Sequence, residues 1–230
     1  AEHLRMKIKE LNEDAGVHGV LLFRPLPKHL KPDADRIENA LVPEKDVDSM
    51  TDLSNAGVYE GKDLGFPPCT AEAVIKVLDH YGIDIEGKRV AVLGRSKVIG
   101  KPLAMMLMAR NATITVCHRK TADIPSITRE SDIIVSAVGE AKFLTGNYVR
   151  EGQTVVDVSI NWDQTKNDGR GGITGDAVFE EVAQVVDAVT PVPGGIGAVT
   201  TAVLMNHVVR AAERTTASAQ SPQPPISQEK

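Results

Sequence analysis

The chain has 230 residues, with 26 lysine and arginine residues against 31 acidic ones and a formal net charge of −5. Hydrophobic residues make up 42% and aromatic residues 3%, which indicates an aliphatic globular core and excludes a disordered chain or a coiled coil. The acidic balance argues against nucleic acid as a partner, because phosphate binding needs a basic face. No apolar run reaches the roughly 18 residues of a membrane span, and the two cysteines have no disulfide framework or metal-ligand spacing. We expect a cytoplasmic protein of one or two domains, with no membrane partner and no metal.

Helical and strand patterns alternate along the sequence. Leu4, Ile8 and Leu11 recur at helical spacing and predict an amphipathic first helix, and a β-rich run at 17–23 predicts a strand. The elements that follow are a helix at 33–41, a loop at 42–51, a helix at 71–81 with Thr70 as its N-cap, a strand at 89–93, a helix at 102–110, a strand at 113–117, a helix at 124–129, strands at 132–137 and 154–159, a helix at 179–184, a strand at 185–189, a helix at 197–214 and a disordered tail at 215–230. This alternation predicts an α/β fold with a parallel sheet covered on both faces.

A glycine-bearing turn joins the strand at 89–93 to the helix behind it. Its spacing is G-x-S-x-x-x-G-x-P, from Gly94 through Ser96 and Gly100, rather than G-x-G-x-x-G. Such a turn directs backbone N–H groups and a helix N-terminus at a bound phosphate. The bare pattern is weak, because a tight strand-to-helix turn without a ligand has the same form. The strand–turn–helix–strand context favours a dinucleotide site.

The end of the strand at 113–117 bears on the choice of dinucleotide. NAD sites usually place an acidic residue there to hold the ribose hydroxyls, whereas this chain continues with His118, Arg119 and Lys120. Arg95 follows the first glycine of the turn, so Arg95 and Arg119 can converge on a 2′-phosphate. This arrangement favours NADP, with NAD as the second choice. The alternative is that these cations are solvated surface residues.

Six segments occur in an order that resembles one family. They are 19–27 (GVLLFRPLP), 43–48 (PEKDVD), 68–70 (PCT), 94–102 (GRSKVIGKP), 117–118 (CH) and 190–197 (TPVPGGIG). Together they resemble the methylenetetrahydrofolate dehydrogenase/methenyltetrahydrofolate cyclohydrolase family. The resemblance implies a folate-binding catalytic domain at 1–68, a Rossmann-like NAD(P)-binding domain at 69–194 and a closing helix at 195–214 that packs on the first domain. It also implies oxidation of 5,10-methylenetetrahydrofolate by NADP⁺ or NAD⁺, hydrolysis of the methenyl product to 10-formyltetrahydrofolate, and a homodimer.

The resemblance also implies roles for individual residues. Asp48 is expected to hold the pterin, since one carboxylate accepts both N–H donors of an amino-pyrimidinone edge. Apart from the resemblance, Asp46 and Asp48 also fit a role as turn or capping acids. The loop residues Pro193, Gly194 and Gly195 are expected beside the substrate. The expected cofactor contacts are Gly94, Arg95, Ser96, Gly100, His118, Arg119, Gly197 and Thr201.

The sequence departs from the family in three places. The family's catalytic lysine belongs to a Tyr-x-x-x-Lys motif, but Tyr59 and Tyr81 are followed four residues on by Asp and Ile. We expect the first domain to be incomplete at its N-terminal end, or the chain to be a decayed relative. Arg24 stands in a segment where the family commonly carries Gln, and we place it in the catalytic set with Asp48, where its charge either tunes a lysine or replaces part of its role. Ser49 follows Asp48, where the family usually has Gly.

Two other functions stay open from the sequence alone. One is a non-catalytic dinucleotide-binding remnant of the same family, which the absent lysine motif suggests. The other is a different two-domain Rossmann oxidoreductase, such as a shikimate dehydrogenase-like enzyme. The segments at 43–48 and 190–197 argue against that second alternative.

Overall fold

The N-terminal part of the chain is mainly helical in the computed structural model, which describes residues 1–166 and 169–220. Its helices are α1 (Glu2–Glu13), α2 (Ala34–Glu38) and α3 (Asp52–Glu60), with short 3₁₀ turns at Lys28–Asp33 and Pro43–Lys45. Ile8 of α1 packs with Leu26, Ile37 and Leu41 in a small apolar cluster. The predicted first helix is therefore confirmed, together with the apolar face that its spacing indicates.

The run at residues 17–23 does not form the predicted strand. Only Val20 pairs, in a single parallel bridge with Asp46, and its N–H donates to the Lys45 carbonyl at 2.7 Å. A β-rich sequence becomes a strand only beside a neighbouring strand, and the described residues provide none at this place. The prediction is wrong because it rests on local propensity alone.

Helix α3 is missed by the sequence patterns, although its ends carry recognisable signals. Thr51 is its N-cap, with Oγ1 accepting the Ser54 N–H at 3.1 Å, and Gly61 ends it in the left-handed region at φ 65°. Its buried residues are Ser54 and Gly57. Because neither is apolar and large, no hydrophobic period marks this helix in the sequence.

A five-stranded parallel sheet forms the centre of the rest of the chain. The strands of the structure are β1 (Arg89–Leu93), β2 (Thr113–Cys117), β3 (Ile133–Ser136), β4 (Thr154–Asp157), β5 (Asn161–Asp163), β6 (Gly172–Thr174) and β7 (Ala188–Val189). The sheet has the order β2-β1-β3-β4-β7 with every neighbouring pair parallel, while β5 and β6 form a separate antiparallel pair. The predicted parallel sheet is confirmed.

Helices cover both faces of this sheet. They are α4 (Cys69–His80), α5 (Gly100–Met108), α6 (Ile124–Glu130), α7 (Phe179–Val182) and α8 (Ile196–Gln220). Helices α4, α5 and α8 pack on one face with Val90 and Val92 of β1, and α6 and α7 pack on the other with Ala91 and Leu93. This is the two-residue alternation of a strand that is buried on both sides.

The start of α4 and the β5–β6 pair differ from the predictions. Thr70 is not the N-cap of α4, because the helix begins at Cys69 with Pro68 in the cap position. Proline fixes its own φ near the helical value, so the chain enters the helix one residue earlier. The β5–β6 pair is missed because each strand has only three residues, too few for a visible alternation.

The last helix is longer than predicted. Helix α8 continues to Gln220, so the predicted disordered tail is wrong for residues 215–220, and residues 221–230 lie outside the described part of the chain. The hydroxyls of Thr215 and Thr216 donate to carbonyls one turn back, which lets polar residues continue the helix. No helix within residues 1–166 and 169–220, α8 included, is long and apolar enough to cross a bilayer.

Lys45 ties the loop after α2 to the end of α1. The residue is 9% exposed, and its ammonium donates hydrogen bonds of 2.7–2.8 Å to the carbonyls of Leu11, Asn12 and Asp14. The last carbonyls of a helix have no partner within the helix, and a cation there also meets the negative end of the helix dipole. One side chain therefore terminates α1 and anchors the segment at 45–48.

Replacing Lys45 with Met should lower the free energy of unfolding by about 3 kcal/mol, because three carbonyls at the end of α1 lose a charged donor. Denaturant unfolding followed by circular dichroism measures this loss. The matched control is Lys9→Met on the exposed side of α1, where the ammonium lies 3.8 Å from Glu13. Its expected effect is below about 0.5 kcal/mol. Equal losses in both variants would contradict the assignment.

Candidate active-site clefts

A cavity of about 340 Å³ opens at the carboxyl ends of β1, β2 and β3. Because β1 lies between β2 and β3, the strand order reverses at this point, and open parallel sheets bind their ligands at such a switch. Five of the predicted cofactor residues line the cavity together: Gly94, Arg95, Ser96, His118 and Arg119.

The turn after β1 has the backbone geometry that its glycines predict. Gly94 has φ +120°, a value that L side chains rarely adopt, and a Cβ there would collide with the Ala137 carbonyl. Gly100 is the first residue of α5, and a Cβ on it would collide with the Gly94 carbonyl. Ser96 Oγ accepts the Ile99 N–H at 3.1 Å, so its hydroxyl hydrogen is the group that it offers to a ligand. The turn is a cradle that side chains would fill.

The rim of this cavity carries cations on two sides. Arg95 and Arg119 are both exposed, and neither forms an ion pair within residues 1–166 and 169–220. His118 is held in the turn after β2, where its Nδ1 accepts the Lys120 N–H at 3.1 Å. Glu140 also lines the cavity. The two guanidinium groups can therefore meet a phosphate, and one carboxylate faces the same space.

A buried carboxylate that sequence reasoning missed fixes the backbone of Val138 and Glu140, two residues that line the cavity. Asp176 is 0% exposed and accepts hydrogen bonds from backbone N–H groups and side chains around the end of β3. Its donors are Ser136 Oγ, Val138 N, Gly139 N, Glu140 N, Ser159 Oγ and Asn161 Nδ2. Burial raises the pKa of its neighbour Asp157, and the charge of Asp176 acts in the same direction. The signal in the sequence is weak, since a lone Asp after a short strand is common.

A second, larger cleft of about 670 Å³ lies between the N-terminal part and α8. Asp48 and Arg24 line it, together with Thr201 of α8 and Val98 of the glycine turn. The presence of Val98 means that this cleft borders the turn of the first cavity. The structure therefore brings both predicted catalytic residues into one space next to the dinucleotide turn.

The two aspartates of the segment at 45–48 have different surroundings. Asp46 is 0% exposed and accepts the N–H groups of Met50 and Thr51 and the hydroxyl of Ser54, so it fixes the turn that leads into α3. Asp48 uses one oxygen, Oδ1, to accept the Cys69 N–H at 2.9 Å. Asp46 is a structural acid, and Asp48 is the one that reaches the cleft.

Arg24 stands beside Asp48 within the cleft. Its Nη2 lies 3.6 Å from Asp48 Oδ2 and donates to the Asp48 carbonyl at 3.4 Å. Glu38 lines the same cleft, and burial raises its pKa, while the charges of Arg24 and Lys97 lower it. The cleft is therefore lined by two carboxyl groups and the cations of Arg24 and Lys31, a mixed surface suited to a polar ligand.

The glycine loop before α8 lines a smaller cavity of about 190 Å³ that borders Ser159. Pro193, Gly194, Gly195 and Gly197 contribute to it, and a Cβ on Gly195 would collide with the Pro191 carbonyl. Gly197 and Thr201 thus lie away from the 340 Å³ cavity where the other predicted cofactor residues meet. The Thr201 hydroxyl donates to the Gly197 carbonyl at 3.3 Å and faces the Asp48 cleft.

The fold and the clefts define a class of protein. A glycine turn flanked by arginines at the switch point of a parallel sheet is a dinucleotide site. The neighbouring cleft presents a carboxylate to a second ligand. This is the arrangement of an NAD(P)-dependent oxidoreductase with a separate substrate cleft.

Comparison with known proteins gives the family. The model of the tetrahydrofolate dehydrogenase/cyclohydrolase NAD(P)-binding domain matches residues 68–216, and the model of the catalytic domain of that family matches residues 1–48. The chain belongs to the tetrahydrofolate dehydrogenase/cyclohydrolase family, which confirms the resemblance that its motifs indicate. It is 49% identical over 214 residues to the bifunctional protein FolD of Carboxydothermus hydrogenoformans, covering 92% of this chain and 72% of that protein.

Solved structures of the family share the fold over more than nine-tenths of this chain. The bifunctional enzyme FolD of Campylobacter jejuni is 40% identical with a TM-score of 0.86, covering 93% of this chain and 73% of that one. The Trypanosoma brucei enzyme, solved with NADP cofactor and an inhibitor, is 34% identical with a TM-score of 0.86, covering 96% and 74%. A shikimate 5-dehydrogenase of Thermus thermophilus is 18% identical at a TM-score of 0.50, a likeness of fold alone.

Ser49 occupies a backbone position that suits glycine. Its φ is +54°, the residue is 2% exposed, and its Oγ has no hydrogen-bond partner within the described residues. A non-glycine residue in the left-handed region costs roughly 1 kcal/mol or more, and a buried unpaired hydroxyl adds to that cost. The structure thus gives a physical reason for the glycine that the family usually carries after Asp48.

Ser49→Gly should raise the free energy of unfolding by about 1 kcal/mol, after the entropy cost of glycine in the unfolded chain is subtracted. Thermal and denaturant unfolding measure the change. Ser49→Ala serves as the matched control, because it removes the hydroxyl and keeps the left-handed Cβ. We expect a larger free energy of unfolding for Ser49→Gly than for Ser49→Ala. A larger value for Ser49→Ala would show that the backbone at this position is not strained.

Proposed function

We propose that this chain oxidises 5,10-methylenetetrahydrofolate to 5,10-methenyltetrahydrofolate with NADP⁺, and that the complete protein hydrolyses the product to 10-formyltetrahydrofolate. The observation that carries the proposal is the position of Asp48 in a cleft that Val98 of the phosphate turn also lines. A substrate held by Asp48 lies against the cofactor turn. Membership of the family supports the same reaction.

Asp48 suits the pterin of a folate. The amino-pyrimidinone edge of a pterin presents two N–H donors side by side, and a carboxylate accepts such a pair. The Cys69 N–H fixes Oδ1 at 2.9 Å, and Arg24 Nη2 lies 3.6 Å from Oδ2. These contacts limit the rotation of the carboxylate. The loop at Pro193, Gly194 and Gly195 is proposed to contact the same substrate.

The residues of the first cavity fit NADP. The turn at Gly94 and Gly100 leaves room for a phosphate where side chains would collide, and Ser96 offers a hydroxyl donor. Arg95 and Arg119 are proposed to bind the 2′-phosphate, since guanidinium groups pair with phosphate bidentately. When bound, the nicotinamide accepts the hydride. His118, Gly197 and Thr201 are proposed as further cofactor contacts.

For hydride transfer, the protein mainly has to position the substrate and the cofactor. The methylene carbon of the substrate loses a hydride and becomes the methenyl cation, with no proton exchanged. The chain supplies the carboxylate that fixes the pterin and the turn that fixes the cofactor. Leu21, Leu22 and Leu204 line the same cleft and offer the substrate an apolar wall.

Hydrolysis of the methenyl product needs a water and a proton acceptor. Water adds to the methenyl carbon, one carbon–nitrogen bond breaks and a proton is released, which leaves the formyl group on one nitrogen. Arg24 is proposed to stabilise charge in this step beside Asp48. The proton acceptor in the complete protein is proposed to be the family's lysine, which this sequence does not contain.

We also propose the organisation of the protein. Residues 1–68 form the folate side, 69–194 the cofactor side, and the helix from 195 closes the cleft. A homodimer in the cytoplasm is proposed, with pairing through β2. Support comes from the position of β2 at the sheet edge and from Val116, which is 38% exposed there.

The decisive experiment follows reduced-cofactor absorbance with the purified 230-residue chain and methylenetetrahydrofolate, comparing NADP⁺ with NAD⁺. Folate-dependent reduction of NADP⁺ supports the proposal. If NADP(H) raises the melting temperature but no folate-dependent reduction occurs, the chain is a dinucleotide-binding remnant and the proposed activity fails.

Asp48→Asn should lower kcat/KM for the folate substrate by about 100-fold. The amide has only one acceptor oxygen, and its NH₂ group would face an N–H donor of the pterin. The KM for NADP⁺ should stay near the wild-type value. Steady-state kinetics with each substrate varied in turn separate the two effects. Asp84→Asn, on the exposed loop at the opposite end of β1, is the matched control. An equal loss in both variants would remove Asp48 from the folate site.

Arg119→Ala should lower kcat/KM for NADP⁺ by about 10- to 100-fold and leave that for NAD⁺ within about threefold, because only NADP⁺ carries the 2′-phosphate. The ratio of the two kcat/KM values is the measurement. Arg89→Ala, an exposed arginine at the amino end of β1, is the control. An unchanged ratio in Arg119→Ala would assign Arg119 to the solvated surface.

A further inference from the structure

His207 is a buried titratable residue that the reaction above does not use. It lies on α8 and is 0% exposed. Its Nδ1 is 2.8 Å from the Val47 carbonyl oxygen, and its Nε2 is 2.8 Å from Glu72 Oε2 on α4. The Phe66 ring covers the imidazole at a centroid distance of 4.8 Å. The imidazole therefore links three parts of the chain.

The oxygens around His207 determine where its protons lie. A carbonyl oxygen can only accept, so Nδ1 carries a hydrogen and donates to Val47. Nε2 faces a carboxyl oxygen at hydrogen-bond distance, so a further proton lies between the ring and Glu72. Burial alone would raise the pKa of Glu72. The hydrogen bond from His207 and the charges of His207, Lys76 and Arg210 outweigh this effect, so the pKa of Glu72 is lowered. The ring nitrogens of His207 therefore bridge the Val47 carbonyl and the Glu72 carboxyl group.

The Val47 carbonyl that His207 holds directly precedes Asp48. Cys69, the first residue of α4, donates its N–H to Asp48 Oδ1 at 2.9 Å and its thiol to the Val47 carbonyl at 3.2 Å. Burial raises the pKa of this thiol, so Cys69 acts as a neutral donor. The backbone before Asp48 is thus fixed from α8 and from α4 at once.

We propose that His207, braced by Glu72, is a positioning residue for Asp48: it fixes the backbone before Asp48 and so aims that carboxylate into the folate cleft. The proposal rests on the proposed function, because a folate pterin is the ligand that needs this orientation. His207 does not line the cleft, so it acts through Val47. Without its Nδ1 donor, the Val47 carbonyl retains, among the residues that the structure describes, only the weak thiol donor of Cys69.

Two variants of His207 separate positioning from packing. In His207→Asn the amide nitrogen takes the place of Nδ1 and still donates to Val47, whereas His207→Leu fills the space without a donor. We expect His207→Leu to raise the KM for methylenetetrahydrofolate roughly 10-fold or more, since small misplacements of a binding group have large effects. We expect His207→Asn to stay within about threefold of the wild type. The KM for NADP⁺ should not change in either variant.

Glu72→Gln tests the brace independently, for the case that His207→Leu does not fold. It replaces the charged oxygen that faces His207 Nε2 with a neutral amide, and we expect a rise of about threefold in the folate KM with no change for NADP⁺. The proposal is overturned if all three variants lower the melting temperature while the folate KM stays at the wild-type value. It is also overturned if His207→Asn is as impaired as His207→Leu.

A crystal structure of His207→Leu provides a readout that does not depend on turnover. We expect the Asp48 carboxylate to move by about 1 Å or more relative to Cys69. An unmoved Asp48 refutes the positioning role. If the wild-type chain shows no folate-dependent reduction of NADP⁺, the proposed function fails, and this structural comparison still decides the role of His207.

Discussion

The segment at residues 45–48 holds the N-terminal part of the molecule together through polar contacts. The described residues there form no sheet whose ladder would hydrogen-bond the backbone. Hydrogen bonds that involve side chains hold the segment in place instead. Lys45 terminates α1, Asp46 accepts the Ser54 hydroxyl of α3, the carbonyl of Val47 meets α8, and Asp48 meets the start of α4. Four neighbouring residues thus bind four different helices, and the position of the candidate folate carboxylate depends on all of them.

The parts of the fold that could be predicted from the sequence are those whose signals are local. Strands β1 and β2 and the glycine turn between them carry apolar runs, glycines and helix starts within about 30 residues, so their pattern is complete in one stretch. The run at 17–23 has the same β-rich composition and fails, because pairing requires a partner elsewhere in the chain. His207 lies 160 residues from Val47, and a lone histidine on an amphipathic helix gives no sign of that contact.

The aspartates of this protein differ by their surroundings rather than by their chemistry. Asp46 and Asp176 are fully buried, and backbone N–H groups and hydroxyls occupy their oxygens, so they organise loops. Asp48 has a backbone donor on only one oxygen and lines a cleft. Because Asp46 and Asp48 are two residues apart, residue type and spacing alone do not rank them, and only the family resemblance singles out Asp48. Only the count of donors at each carboxylate separates a structural acid from a binding acid.

Helix α8 connects the two sides of the candidate site. It begins directly after the glycine loop, passes the cleft at Thr201 and Leu204, and reaches His207, which holds the backbone before Asp48. The cofactor cavity is built on a sheet with apolar cores on both faces, while Asp48 is held by a few polar contacts from distant elements. Loosening those contacts therefore weakens folate binding before it weakens cofactor binding. A variant that disturbs these polar contacts is thus expected to bind the dinucleotide without turning over the folate substrate. Loss of the sheet differs, because it removes both dinucleotide binding and turnover.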